Sequence, residues 1–219
     1  KPFFNYDMEI SRTGWYNSFL IPTLKVKVNE CSTAGKNPEY EELVRKNFRK
    51  LNYHINELSA EAELLPGSWI ASMNYSGFTE FTCDQTRIFL DSLATLIRIK
   101  NRIFSDRKDS LVNSITDKLG AVEFQTLKEA NYNESVANFV LNRLSTNKIF
   151  DSEKKLIQKA DPVYMKPGSK YGRAHFYAPY KQIGKVRIDT LLFNVIAIWI
   201  MTIGLFVTLY LNLLKRFIE

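Results

Sequence analysis

Residues able to do covalent or metal chemistry are sparse in this sequence. Among 219 residues there are two histidines, His54 and His175, and two cysteines, Cys31 and Cys83. A zinc site would need each histidine joined by thiolates or carboxylates from distant parts of the chain. No HExxH, CxxC, GxSxG, GxGxxG or GxxxxGK[ST] pattern occurs, so there is no zincin helix, nucleophile elbow or phosphate-cradling loop. His54 falls in a helical stretch but off its apolar positions, and reads as a surface or pore-rim histidine. His175 lies among aromatic and basic residues, where packing is the simplest role. Glu57, Glu61 and Glu63 share their helix with Lys and Arg, as on a solvated face. No catalytic, metal-binding or cofactor-binding residue is assigned, and the chain reads as a non-enzyme that carries no cofactor of its own.

One chemically distinctive stretch remains, "DPVYMKPGSKYGRAHFYAPYKQIGKVRIDT" at residues 161–190. Its three prolines and three glycines forbid a long helix. Six Lys/Arg face two Asp and are interleaved with aromatic residues. Such chemistry suits single-stranded nucleic acid, through phosphate contact and base stacking. It equally suits a chain lying on phospholipid headgroups. The residues that follow favour the second partner, so the segment is read as a juxtamembrane interface carried by Arg173, His175, Phe176, Tyr177, Tyr180, Lys181, Lys185 and Arg187. No nucleic-acid partner is assigned.

Residues 191–214, "LLFNVIAIWIMTIGLFVTLYLNLL", contain no charge in a chain that is 24% charged. Twenty-four residues make a helix of roughly 36 Å, enough for a hydrocarbon core of about 30 Å. Fifteen of them are Leu, Ile, Val or Phe. Their mid-bilayer insertion values sum to roughly −4 to −9 kcal/mol, an upper bound because end positions count for less. Lys215 and Arg216 close the span, and 215–219 is a short tail. A core helix is the weaker reading, since core helices rarely run this long without a charge. Asn194, Met201, Thr208 and Asn212 fall on one stripe at 100° per residue. Polar side chains at membrane depth need partners, so this stripe is expected to meet other transmembrane helices; Asn194 and Asn212 would also be tolerated near the two interfaces.

The elements before this segment read as helices. Asn37-Pro38 is a helix start, and Val44, Phe48, Leu51, Ile55, Leu58, Ala62 and Leu65 follow at spacings of three and four before Pro66-Gly67. That seam needs a partner, supplied by residues 84–104 with Ile88, Phe89, Leu93, Leu96 and Ile97. The pair is read as a helical hairpin joined by the loop "PGSWIASMNYSGFTEFT". Two further helical patterns precede Gly120 and follow Asn133. The dense aromatics of residues 1–24 suit a core edge or a headgroup layer. "LKVKV" after them alternates like a strand, and 29–37 reads as a loop. The expected fold is mainly α: a helical domain over 1–160, the juxtamembrane segment 161–190, and one span over 191–214.

The net charge of +7 and 13% aromatic content describe an ordered, basic domain. Two cysteines are too few for a disulfide scaffold; they could pair outside the cytoplasm and stay reduced within it. Asn74-Tyr75-Ser76 and Asn133-Glu134-Ser135 match a glycosylation pattern that many unmodified sequences also match. The sequence starts at Lys1 with no signal pattern, which reads as a piece of a longer chain.

Two stretches, "KPFFNYDMEISRTGWYNSFLIPTL" and "GRAHFYAPYKQIGKVRIDTLLFNVIAIWIMT", resemble the C-terminal portion of large single-chain bacterial ABC transporters. The resemblance rests on Pro2-Phe3-Phe4, on Ala174-His175-Phe176-Tyr177-Ala178-Pro179, and on Asp189-Thr190 running into Asn194 and Trp199. In that family an ATPase domain precedes a permease similar to the G subfamily, the last extracytoplasmic loop is enlarged, and a final helix ends the protein. The resemblance implies that residues 1–190 are that loop, periplasmic at the inner membrane, capping or gating an export path. It implies that 191–214 is the closing helix, packed on the other spans of a dimeric permease, and that ATP is hydrolysed elsewhere in the parent. Charge alone points the other way: Lys170, Arg173, Lys181, Lys185 and Arg187 precede the span, against Lys215 and Arg216 after it. That count would put the domain in the cytoplasm, although the rule weakens for long translocated domains. The competing function is a C-terminally anchored adaptor or sensor that binds a protein partner through the 38–104 hairpin.

Overall fold

The computed structural model describes residues 2–165, 167–175 and 178–211. The protein is mainly α and divides into two compact units, residues 1–164 and 165–219.

In the first unit, helix α1 (Pro2–Trp15) runs through a π-helical turn (Tyr16–Leu20) into α2 (Ile21–Ala34). The wide turn comes just before Pro22, which has no N–H to give the helical ladder. The aromatic N-terminal stretch is thus core rather than headgroup layer: Trp15, Tyr16 and Leu20 are buried. "LKVKV" is helix, not strand, and residues 29–34 of the expected loop extend it. Ile21, Leu24, Val28 and Cys31 are buried at spacings of three and four, while Val26 is exposed. Burying that stripe against two other helices outweighs the local alternation, each large apolar side chain contributing about 1.5–3 kcal/mol.

Asn37 caps the next helix, its side chain accepting from the Glu39 N–H at 3.0 Å. A short 3₁₀ turn (Pro38–Tyr40) leads into α3 (Glu41–Ala62). The seam from Val44 to Ala62 is buried as the spacing predicts. Its expected last member is not: α3 stops at Ala62, Glu63 turns left-handed at φ +56°, and Leu65 is 88% exposed.

Helix α4 (Glu80–Leu119) starts at a Thr79–Thr82 capping box and is about 60 Å long. The apolar pattern before Gly120 continues this helix instead of forming another. Phe89, Leu90, Leu93 and Ile97 are buried, whereas Ile88 is on the solvent side. The α3–α4 pair forms, but α4 packs more extensively on α1 and α2 than on α3. The connection between α3 and α4 also belongs to the core. Met73 and Phe78 are buried, Phe78 lies 5.0 Å from Phe48, and Asn52 donates to the Met73 carbonyl at 3.0 Å. Helices α5 (Ala121–Asn131) and α6 (Glu134–Val140) follow, α6 capped by Asn133.

The chain then returns to the bundle as an antiparallel hairpin, β1 (Ile149–Asp151) with β2 (Leu156–Gln158). Leu156 enters the core, Trp15 Nε1 donates to the Lys148 carbonyl at 3.1 Å, and Ser11 donates to Asp161 at 2.8 Å.

This hairpin overturns the surface assignment of His54. His54 is only 1% exposed. Its Nε2 accepts the Leu156 backbone N–H at 2.9 Å, and Nδ1 lies 3.1 Å from Glu57. His54 sits on a face of α3 that only a distant segment covers, so helical periodicity gave no sign of burial. That geometry requires a lone pair on Nε2, hence a neutral ring with its proton on Nδ1. Replacing His54 with Phe keeps the bulk and strands the Leu156 N–H. We expect a loss of about 1–3 kcal/mol of stability, with hydrogen-exchange protection lost selectively at the Leu156 amide. Unchanged protection there would show that the bond does not hold the hairpin.

The second unit contains the hairpin β3 (Tyr180–Ile183)/β4 (Val186–Asp189) and the helix α7 (Thr190–Tyr210).

Candidate membrane interface

Helix α7 is 21 residues long with a mean hydropathy of 2.3, and none of its most apolar window is buried. It is the one helix among the described residues long and apolar enough to cross a membrane. Asp189 caps it, accepting the Leu191 N–H at 3.0 Å. The observed helix opens one residue before the expected span.

The β3–β4 hairpin is docked on the first turn of α7. Tyr180 pairs with Asp189 and Ile183 with Val186, leaving Gly184-Lys185 as a two-residue loop. Gly184 has φ +58°, the positive first loop position of a type II′ turn. Residues 170–172 pair on the other edge of β3: Gly172 N–H donates to Gln182 O and Gly184 N–H to Lys170 O, both at 2.8 Å. Gly172, at φ +76°, lies so near Phe193 that a Cβ would sit 3.0 Å from its Cζ. Lys181 reaches α7, its Nζ donating to Asn194 Oδ1 at 2.8 Å and lying 4.4 Å from the Phe193 ring centroid. Arg187 stacks on Tyr180 at 5.2 Å.

The juxtamembrane residues therefore separate by role. Lys181 packs inward on α7, Tyr180 and Arg187 form a pair, Lys185 and Arg173 are exposed, and His175 is half-buried. Phe176 and Tyr177 lie outside the described residues. Along the polar stripe, Asn194 is engaged by Lys181, and Met201 is exposed. Thr208 donates to the Gly204 carbonyl at 2.8 Å, as Thr202 does to Ile198 at 2.9 Å. Asn212 lies outside the described residues. Within the chain Lys181 engages only the Asn194 carbonyl oxygen, and the Thr208 hydroxyl donates to its own helix. The hairpin went unread in the sequence, although "YKQIGKVRID" carries its signal: alternating residues around a Gly-containing two-residue turn.

The first unit holds a second polar cluster. Lys27 of α2 and Lys50 of α3 are buried and converge on Asp151 of β1, Lys27 at 3.1 Å. Burial pushes the Asp151 carboxyl up, but hydrogen bonds from Lys50 and Lys27 outweigh it and hold the group below its ordinary value. Arg12 is likewise buried between Glu9 and Glu61. Glu61 is therefore not on a purely solvated face. Each of these groups is paired with an opposite charge, and none is presented as a free nucleophile. Cys31 and Cys83 are buried free thiols. Burial, with Cys83 nearby, pushes the Cys31 thiol up to about 12, and burial also raises Cys83. Neither has the electropositive, exposed setting of a reactive cysteine.

Comparison of the chain with known protein families, curated proteins and solved structures finds no match.

Proposed function

We propose that the chain is part of the permease of an ATP-driven transporter. In this reading the helical unit 1–164 is an extracytoplasmic loop domain capping or gating the path, and α7 is the closing transmembrane helix. The observation that carries it is α7 itself, which exposes Leu, Ile, Val and Phe around its circumference and has no place in a water-facing fold. The resemblance of residues 1–24 and 172–202 to the end of fused ABC transporters supports the finer reading. On it the partners are the bilayer and other spans of a dimeric permease. The location is the bacterial inner membrane with the helical unit in the periplasm, and ATP hydrolysis belongs to the parent chain.

The test has a genetic and a topological arm. The reading frame upstream of Lys1 is expected to encode a P-loop ATPase and several further apolar spans. A start codon directly before Lys1 would leave an anchored adaptor instead. For topology, buried Cys31 and Cys83 give a silent background to a membrane-impermeant maleimide. Arg49→Cys, at an exposed position on α3, is expected to label on intact cells. Labelling only after lysis would put the domain in the cytoplasm, as the flanking charges alone suggest.

A further inference from the structure

We propose that residues 170–173 and the β3–β4 hairpin form a collar that binds the phosphates of anionic phospholipids. The proposal rests on α7 being a membrane span.

The first observation is a charge without a partner. Lys170, Arg173, Lys181, Lys185 and Arg187 fall within 18 residues, and none makes an ion pair among the described residues. In the first unit the buried cations have carboxylate partners instead: Arg12 has Glu9 and Glu61, and Lys27 and Lys50 share Asp151. The one carboxylate of residues 170–194, Asp189, is committed to capping α7.

The second observation fixes depth. The Lys181 ammonium touches Asn194, one turn into α7. A charge there places the hydrocarbon boundary at Phe193–Asn194, with the hairpin beside it at headgroup level. From Val195 to Leu214 the sequence runs 20 residues without a charge, about the number a span needs, before Lys215 and Arg216. That uncharged length fits a bilayer with the collar in the headgroups.

The third observation is the surface itself. Tyr171 is 89% exposed, and Ile183 and Val186 flank the exposed Lys185 at the hairpin tip. Apolar and aromatic side chains beside cations fit the boundary between phosphates and acyl chains. Arg187, stacked on Tyr180, keeps guanidinium N–H groups for a phosphate fork. Continuity with α7 makes the phosphate source a lipid.

The test compares lipid retained by the full chain purified from mixed micelles containing equal phosphatidylglycerol and phosphatidylcholine. Wild type is expected to retain phosphatidylglycerol preferentially. Arg173→Gln/Lys185→Gln/Arg187→Gln should lose that preference, up to about fivefold per cation removed, with Arg187→Lys intermediate. A control at exposed cations of the first unit, Arg102→Gln/Lys128→Gln/Lys154→Gln, should retain the wild-type ratio. Equal retention of both lipids by a chain that resists carbonate extraction would overturn the collar and leave the span standing. An equal fall in the control would replace the site with a diffuse charge effect and also overturn it. A wild-type chain extracted by carbonate would overturn the span, and the collar with it.

Discussion

Replacing Ile200 with Asp is expected to release this chain, expressed alone, from carbonate-washed membranes. Ile200 lies at the middle of α7 and is 64% exposed, so the described residues do not enclose a carboxylate placed there. A mid-span Asp costs about 2.5–3.5 kcal/mol in insertion, where Ile contributes about −0.3 to −0.6. The difference, roughly 3–4 kcal/mol, is a several-hundred-fold shift between inserted and excluded helix. Ile200→Leu preserves the apolar surface and is expected to leave the chain in the pellet. An Ile200→Asp chain as resistant to carbonate as wild type would mean that α7 is not held by lipid.

The second large effect concerns the first unit. Asp151→Asn keeps the shape of the side chain and removes the counter-charge from Lys27 and Lys50, whose side chains are 10% and 4% exposed. Stranding buried ammonium groups costs about 3–5 kcal/mol in a fully buried setting. The Asp151 side chain is 47% exposed, so solvent screens the pair and the expected loss falls to about 1–3 kcal/mol. For a unit of this size that lowers the melting midpoint by about 3–10 °C. Replacing both lysines with Met in the Asp151→Asn background is expected to recover most of the loss, because the unmatched charge goes with them. The pH dependence has a definite sign. The folded carboxyl titrates below the unfolded one at about 4. Its stabilisation is therefore complete above about pH 4 and is lost as the pH falls through the folded value. Wild-type and Asp151→Asn melting midpoints should differ at pH 7 and converge in acid. A constant gap across that range would exclude the carboxylate as the source.

Local pattern carried much of this protein's form. The Val44–Ala62 seam, its Asn37 cap and the apolar run beginning at Leu191 follow from residue spacing and transfer energies that act within a few turns. Strong periodicity leaves a helix only one face to bury. The misreadings share a physical cause as well. "LKVKV" satisfies a strand period and a helix period at once, and packing of α2 on α3 and α4 chose between them. His54 looked solvated because the segment that buries it lies 102 residues further on. Lys27 and Lys50 resemble any surface lysine until the fold brings Asp151 to both. At the candidate interface, the sequence by itself determined that residues 170–187 are basic and that the next stretch is apolar. Only the tertiary structure decided that Lys181 reaches Asn194 and that the hairpin docks on the first turn of α7. Those contacts depend on a register and a turn, which composition does not encode, and they set where the charged surface ends and the apolar helix begins.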